Sequence, residues 1–568
     1  MPSRRSSLSK AALTGVCILP LALAGCGDGQ DFDISEQIGA DPVLPEPTNA
    51  LIPAMKVAEV IGWSEGQTPT VADGLTVTAY AQNLGNPRTV HTLPNGDVLV
   101  IQSRGPSGEP ATRPKDLIRG WIMAMAHGGG GPQIESNRIT LLRDTNRDGE
   151  VDERSDLLTD LDSPFGVAWI DGTLYVAATD AILAYPYELG QSEITAEPTI
   201  LTPLPGGPIN HHWTKDLALS PDGQYLYASV GSNSNILENG LEAEKGRAAI
   251  WQVDRETGAS RVFASGLRNP NGLTFHPETE TLWTVVNERD ELGPNLVPDY
   301  MTSVEEGAFY GWPWSYYGDH VDERVYPPRP DMVEKAIAPD YALSSHVAAL
   351  GLTFSYDSAM PNEFANGAFI GEHGSWNRNF FNGYKVIYVP FENGEPAGKP
   401  TDVVTGFING DQAYGRPVGV GIDGTGALLV ADDAGNTVWR VAPSDGSTTD
   451  EPIGTDRVAA SSSTRETNAS GGAERSSLNE SIGEESQSAT APGVVTPDAS
   501  NGDSAAAGES SSGDDADQSA STDEASTGGQ SQAAGRETSS PEPSQTTIAP
   551  GVLPEGTVDP GSSESQQQ

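Results

Sequence analysis

Residues 269–288 read NPNGLTFHPETETLWTVVNE. An alternating run ending at Phe275 is followed by a turn carrying His276 and Pro277, and then by a second strand-forming run, Leu282–Val286. That order is the pattern of an antiparallel hairpin. It recurs along the chain as NPRTVHTLPNGDVLVIQS (86–103), SPFGVAWIDGTLYVAAT (163–179) and TKDLALSPDGQYLYASVGS (214–232). Two further copies are ALGLTFSYDS with GAFIGEHG (349–358 and 367–374) and GRPVGVGIDGTGALLVADD (415–433). The repeats are spaced by roughly 60 residues, room for four short strands each. No helical periodicity competes, so the sequence predicts an all-β fold, a six-bladed β-propeller over residues 74–443.

In such a fold the loops ahead of each inner strand converge on one mouth, whatever their separation in sequence. His211 and His212 hold that place in the third repeat, Arg268 and Asn269 in the fourth, Arg416 in the sixth and Arg88 in the first. Arg378 follows the fifth hairpin. Several arginines and a histidine at one mouth point to a small polyanion, because a guanidinium fork pairs bidentately with carboxylates.

The flanks differ from the repeats. Arg4, Arg5 and Lys10 precede an apolar run, Ala11–Ala24, too short to span a bilayer comfortably. The run ends in Leu23-Ala24-Gly25-Cys26, which resembles a lipobox. Residues 1–25 are therefore expected to be a removable leader, with Cys26 lipidated. The protein is then exported and membrane-anchored, at the outer membrane or the periplasmic face. Cys17 lies in the leader, so the mature chain has no disulfide. Residues 26–73, rich in Asp, Pro and Gly, are expected to form a disordered tether. Residues 444–568 are expected to be a disordered tail. From Asp445 onward the tail carries 22 acidic and 4 basic residues of a chain whose formal charge is −47. Such an acidic surface excludes nucleic acid, and it leaves the membrane as a partner only through the lipid anchor.

The stretch Asp144-Thr145-Asn146-Arg147-Asp148-Gly149 begins like an EF-hand loop. Position twelve is Ser155 instead of glutamate. The residues allow either a calcium loop using Asp144, Asn146 and Asp148 or a plain Asx-rich turn.

The segments GPINHHWTKDLALSPDG (207–223), GLRNPNGLTF (266–275), NERDELGPNLVPDY (287–300), GAFYGWPWSYYG (307–318) and GRPVGV (415–420) together resemble the glucose/sorbosone dehydrogenases. The likeness is greater to the sorbosone and pyranose dehydrogenase branch than to soluble glucose dehydrogenase. The resemblance implies a six-bladed propeller using pyrroloquinoline quinone (PQQ) and Ca2+ to oxidise a sugar, polyol or related aldehyde. It implies His212 as the general base and Arg268 as the residue steadying charge on the quinone oxygen. Asn269, Arg416, Arg378, His346 and Arg88 are expected around the cofactor. Calcium is expected on the backbone carbonyls of Asp290 and Glu291. With no Cys-x-x-Cys-His haem site in the chain, electrons are expected to leave to a separate acceptor.

Two rival readings share the fold. A metal-dependent lactonase needs acidic and amide groups converging on one metal, whereas the residues expected at the mouth are mostly basic. A non-catalytic propeller would present a protein-binding face. The aromatic cluster Trp312, Trp314, Tyr316 and Tyr317 is read as packing, with sugar stacking as the sharper alternative.

Overall fold

The computed structural model describes residues 32–48, 54–106 and 134–449. The leader, Cys26 and the tail from residue 450 lie outside the described residues. Within them the chain folds as a β-propeller, in which each sequence repeat opens one antiparallel four-stranded meander. The first sheet runs Pro87–Thr92, Val98–Gln102, Arg138–Arg143 and Glu153–Leu158; the second runs Val167–Ile170, Thr173–Ala177, Ala181–Pro186 and Thr199–Pro203. The third comprises Leu217–Leu219, Tyr225–Val230, Ala249–Asp254 and Ser260–Ser265. The fourth comprises Pro270–Phe275, Leu282–Val286, Pro298–Ser303 and Tyr341–Ser345. The fifth comprises Ala349–Phe354, Gly367–Glu372, Lys385–Glu392 and Thr401–Thr405. The sixth joins Pro417–Ile422, Leu428–Asp432 and Thr437–Pro443 to Leu75–Gln82 from the start of the domain.

The core lies between sheets. One apolar cluster joins the first sheet to the second through Leu99, Ile101, Leu174 and Val176. Equivalent clusters join second to third, third to fourth, fourth to fifth and fifth to sixth. A last cluster, with Val98, Val100, Leu429 and Val438, joins the sixth back to the first. The circle is therefore closed by burial as well as by strand pairing. At the axis the inner strands meet backbone to backbone. A Cβ added to Gly351 would sit 2.3 Å from the Val418 carbonyl oxygen, and one on Gly419 would sit 2.6 Å from that of Arg88. Only glycine permits these approaches. The inner strands line an axial channel of about 380 Å³, into which His91 and His276 also fall. His276 is buried against Phe354 and Tyr356.

Residues 32–48 and 54–73, read from composition as part of a loose tether, instead lie against the sheets. Ile38–Gly39 adds a strand to Tyr341–Ser345, and Thr70–Val71 adds one to Thr401–Thr405. The Trp63 indole donates to Asp432 Oδ2 at 2.6 Å and packs edge-on to Trp439 and Phe407. Composition missed this because few side chains carry the contact and the rest is backbone pairing. Trp312, Trp314, Tyr316 and Tyr317 are buried, and the two indoles donate to the carbonyls of Asn235 and Pro327. They pack an insertion and present no stacking platform for a sugar.

Two predictions follow from this architecture. Deleting residues 437–443 strips the partner from both Leu75–Gln82 and Leu428–Asp432. The shortened chain is expected to lose its cooperative thermal transition, and a sharp transition at the unaltered temperature would refute the closure. The second concerns Glu372, the buried end of its strand. Burial, opposed by Lys385, pushes its carboxyl up to about 8. The unfolded carboxyl titrates near ~4.3, so between the two values the folded chain holds a proton that the unfolded chain releases, and stability falls as pH rises. Glu372→Gln is expected to raise Tm at pH 8 and to leave it nearly unchanged at pH 4. Equal melting at pH 8 would contradict the burial argument.

Candidate functional site

The inner strands begin, and the second strands end, at one rim of the ring, so residues from all six sheets meet there. Arg88 comes from the first sheet and Phe165 precedes the inner strand of the second. Trp213, beside His212, meets Phe165 edge-on with ring centres 6.2 Å apart, and the Arg88 guanidinium lies 5.9 Å from both rings.

His212 Nδ1 lies 2.8 Å from the Ser232 carbonyl and 3.0 Å from Ser232 Oγ. That hydroxyl donates its own proton to the Ser234 carbonyl at 2.7 Å, so both oxygens facing Nδ1 act as acceptors. Nδ1 must then carry the ring proton, and the basic lone pair belongs to Nε2. Ser232 is held in turn by its N–H donating to the Arg268 carbonyl at 2.8 Å. The next residue, Asn269, reaches the same corner. A Cβ on Gly231 would lie 2.4 Å from Asn269 Oδ1 and 2.5 Å from His212 Cβ, so this glycine lets the two side chains close around it. His211, beside His212, is half-buried.

Arg268 is held by the protein itself. Its guanidinium donates to the carbonyls of Asn287 at 3.1 Å and Glu288 at 2.7 Å, and to both oxygens of Asn235. It is buried and saturated by the protein, so it clamps the loop after Leu282–Val286 beside Asn269. On that loop the Asp290 carboxylate accepts from Asn377 at 2.9 Å, lies 3.3 Å from His346 Nδ1, and faces Arg268 at 3.8 Å. Burial drives that carboxyl upward, but the His346 hydrogen bond and the Arg268 charge outweigh it and hold the group down at about 2. His346 Nε2 lies 3.2 Å from the Gly293 carbonyl.

A second cluster joins three sheets. Arg88 pairs with Asp433 at 2.5 Å, and His373 Nε2 lies 3.0 and 3.1 Å from the two oxygens of the same carboxylate. Arg416 donates to the carbonyls of His373 and Gly374. Burial and the Arg416 charge press the His373 imidazole downward, opposed by Asp433. His373, Arg88 and Arg416 hold Asp433 ionised in spite of its burial. Arg378, fully buried, donates to the Ser345 carbonyl at 2.8 Å and Asn295 Oδ1 at 2.7 Å, with Phe380 4.1 Å from its guanidinium. The His373–Asp433 pair escaped the sequence reading; its one signal was that both residues close a second strand at the rim.

The expected residues thus collect at one rim, and three retain a buried polar atom without a hydrogen-bond partner in the structure: Asn269 Oδ1, Arg88 Nε and Arg378 Nε. Two N–H donors and one amide oxygen suit a group bearing both carboxylates and a ring N–H, as PQQ does. Calcium on the carbonyls of Asp290 and Glu291 does not fit. The Asp290 carbonyl accepts from Arg289 and from Asn235, and the Glu291 carbonyl accepts from Arg324. Guanidinium groups so placed repel a second cation. In the 144–149 loop Asp144 accepts from the backbone of Asp148 and Gly149, and Asn146 and Asp148 accept from N–H groups two residues on. That is the geometry of the Asx-rich turn. Among the described residues, no group of three or more His, Cys, Asp or Glu is arranged to hold a metal ion.

Known proteins share this arrangement of sheets. Residues 332–444 match the family model described as TrAA12-like. The holo form of the pyranose dehydrogenase PQQ domain from Coprinopsis cinerea superposes with a TM-score of 0.53 at 20% identity, over 68% of this chain and 100% of that one. The calcium structure of the Trichoderma reesei carbohydrate-active enzyme of family AA12 gives 0.53 at 19% identity, over 66% of this chain and 97% of that one. An uncharacterized protein of Borreliella burgdorferi is 29% identical over 292 residues, 50% of this chain and 76% of its own length. Aldose sugar dehydrogenase YliI of Escherichia coli is 21% identical over 278 residues, 44% of this chain and 66% of its own. Residues 175–376, which carry His212, Arg268, Asn269 and His346, match the family model described as glucose/sorbosone dehydrogenase.

Proposed function

We propose that the protein is a PQQ-dependent dehydrogenase of sugars or related polyols and aldehydes, its six sheets acting as the six blades around the cofactor. The observation that carries this reading is the corner where His212, with its base lone pair fixed on Nε2, stands beside the unsatisfied amide oxygen of Asn269. When bound, the quinone would supply the hydride acceptor. The chain's own work is then threefold. His212 Nε2 takes the proton of the substrate hydroxyl as hydride leaves its carbon, and the Ser232 carbonyl steadies the resulting imidazolium through Nδ1. Asn269, Arg88 and Arg378 would hold and orient the cofactor through the three atoms they leave without a hydrogen-bond partner. Arg268 fixes Asn269 and the 287–290 loop, and its buried charge adds a positive field at the rim. Calcium has no assigned ligands in this proposal. Export and lipid attachment through Cys26, with electrons leaving to a separate carrier, belong to the same proposal.

The protein is expected to take up PQQ in a spectral titration and then to reduce a dye in the presence of aldoses. Failure to take up PQQ would remove the proposal. His212→Ala is expected to lower kcat by about 10²–10⁴-fold while leaving the cofactor Kd within about two-fold; an unchanged kcat would overturn the base assignment. Gly231→Ala, which drives a methyl into both His212 and Asn269, is expected to weaken cofactor binding at least ten-fold, and unaltered affinity would dissociate that corner from the cofactor.

A further inference from the structure

The segment ahead of the sheets grips the rim through one side chain. Gln37 ends a short 3₁₀ turn, Ile34–Gln37, capped by Asp33, and the chain then pairs Ile38 with Leu343 and Gly39 with Ala342. The Gln37 side chain is completely buried. Its Nε2 donates to the Asn295 carbonyl at 2.5 Å, and its Oε1 accepts from Ser345 N at 2.9 Å, Ser345 Oγ at 2.8 Å and Ser344 Oγ at 3.4 Å. A primary amide costs free energy to bury unless its groups are matched in this way.

The residues it binds are those that hold Arg378. That guanidinium donates to the side-chain oxygen of Asn295 and to the carbonyl of Ser345, so Gln37 and Arg378 grip the same two residues on different groups. His346, which reaches both Asp290 and Gly293, is the residue after Ser345. Further along the same segment, Thr48 N–H donates to the Leu292 carbonyl at 2.9 Å. The 292–297 loop and the 344–348 turn are thus sewn together by a residue far from both in sequence.

We propose that Gln37 is a positioning residue of the candidate site, setting Arg378 and His346 through Asn295 and Ser345, and that the N-terminal segment is part of that site. This rests on the cofactor reading above. Lys399 provides the control. Its ammonium holds the outer side of the same segment through the carbonyls of Ser35 and Ile38, and its side chain makes no hydrogen bond to Asn295 or Ser345.

The test compares the full unaltered chain with Gln37→Met, Gln37→Glu and Lys399→Ala, reading PQQ affinity by spectral titration, then kcat and KM for the sugar, and Tm. Gln37→Met, close in volume but without polar groups, is expected to raise the PQQ Kd at least ten-fold. Gln37→Glu keeps an oxygen for Ser345 and loses the donor to Asn295, so an intermediate rise is expected. Lys399→Ala is expected to lower Tm while leaving the PQQ Kd within two-fold. An unchanged Kd in both Gln37 variants, or an equal loss in Lys399→Ala, would overturn the assignment and leave Gln37 as a mere anchor of the segment. No uptake by the unaltered chain would instead overturn the cofactor reading, and this assignment with it.

Discussion

The rim exists because the inner strands come closer together than side chains would allow. At Gly351 and Gly419 a neighbouring carbonyl occupies the space a Cβ would need. Set that close, the strands bring the loops at their ends within hydrogen-bonding reach, and residues far apart in sequence pair with one another. Arg88 and Asp433 form one example, Asp290 and Asn377 another. The tightness at the axis sets the spacing at the rim, and that spacing decides which charges meet.

Charge burial is the second consequence. Arg268, Arg378, Arg416 and Arg88 are all nearly removed from solvent, together with Asp433. Buried charges are tolerated only where hydrogen bonds and counter-charges surround them. Most of the guanidinium contacts here go to backbone carbonyls of neighbouring loops, which tie the rim together. Its rigidity and its chemistry therefore have the same source. The groups left short of a partner, Asn269 Oδ1 and the Nε atoms of Arg88 and Arg378, are the exceptions.

Much of this was legible beforehand. The hairpin repeat marked the inner strands, and a residue just ahead of such a strand has one place to go, which is why His212 and Asn269 could be assigned to a common corner. What the arginines would touch was not legible, because a carbonyl partner leaves no trace in side-chain pattern. Arg268 illustrates this: its position was foreseen, but its saturation by Asn287, Glu288 and Asn235 was not. Gln37 and Trp63 were hidden by the Asp-, Pro- and Gly-rich segments around them. Composition averages over a window and does not register one buried amide or one indole. The Asp290 and Glu291 carbonyls were misjudged for the same reason, since Arg289 and Arg324 lie close in sequence or fold without advertising where their forks end.

The pairing of Leu75–Gln82 with Thr437–Pro443 bears on how the molecule is made. The first strand of the domain can find its neighbour only after nearly the whole domain has been synthesised. Joining points so distant costs roughly 5 kcal/mol of loop-closure entropy before any contact compensates it. Until then Leu75–Gln82 is an unpaired edge able to recruit a strand from another chain. Such a high-contact-order seam favours slow, all-or-none folding. Nascent chains crowded together would be exposed to exchange of that strand between molecules, a hazard the finished ring no longer carries.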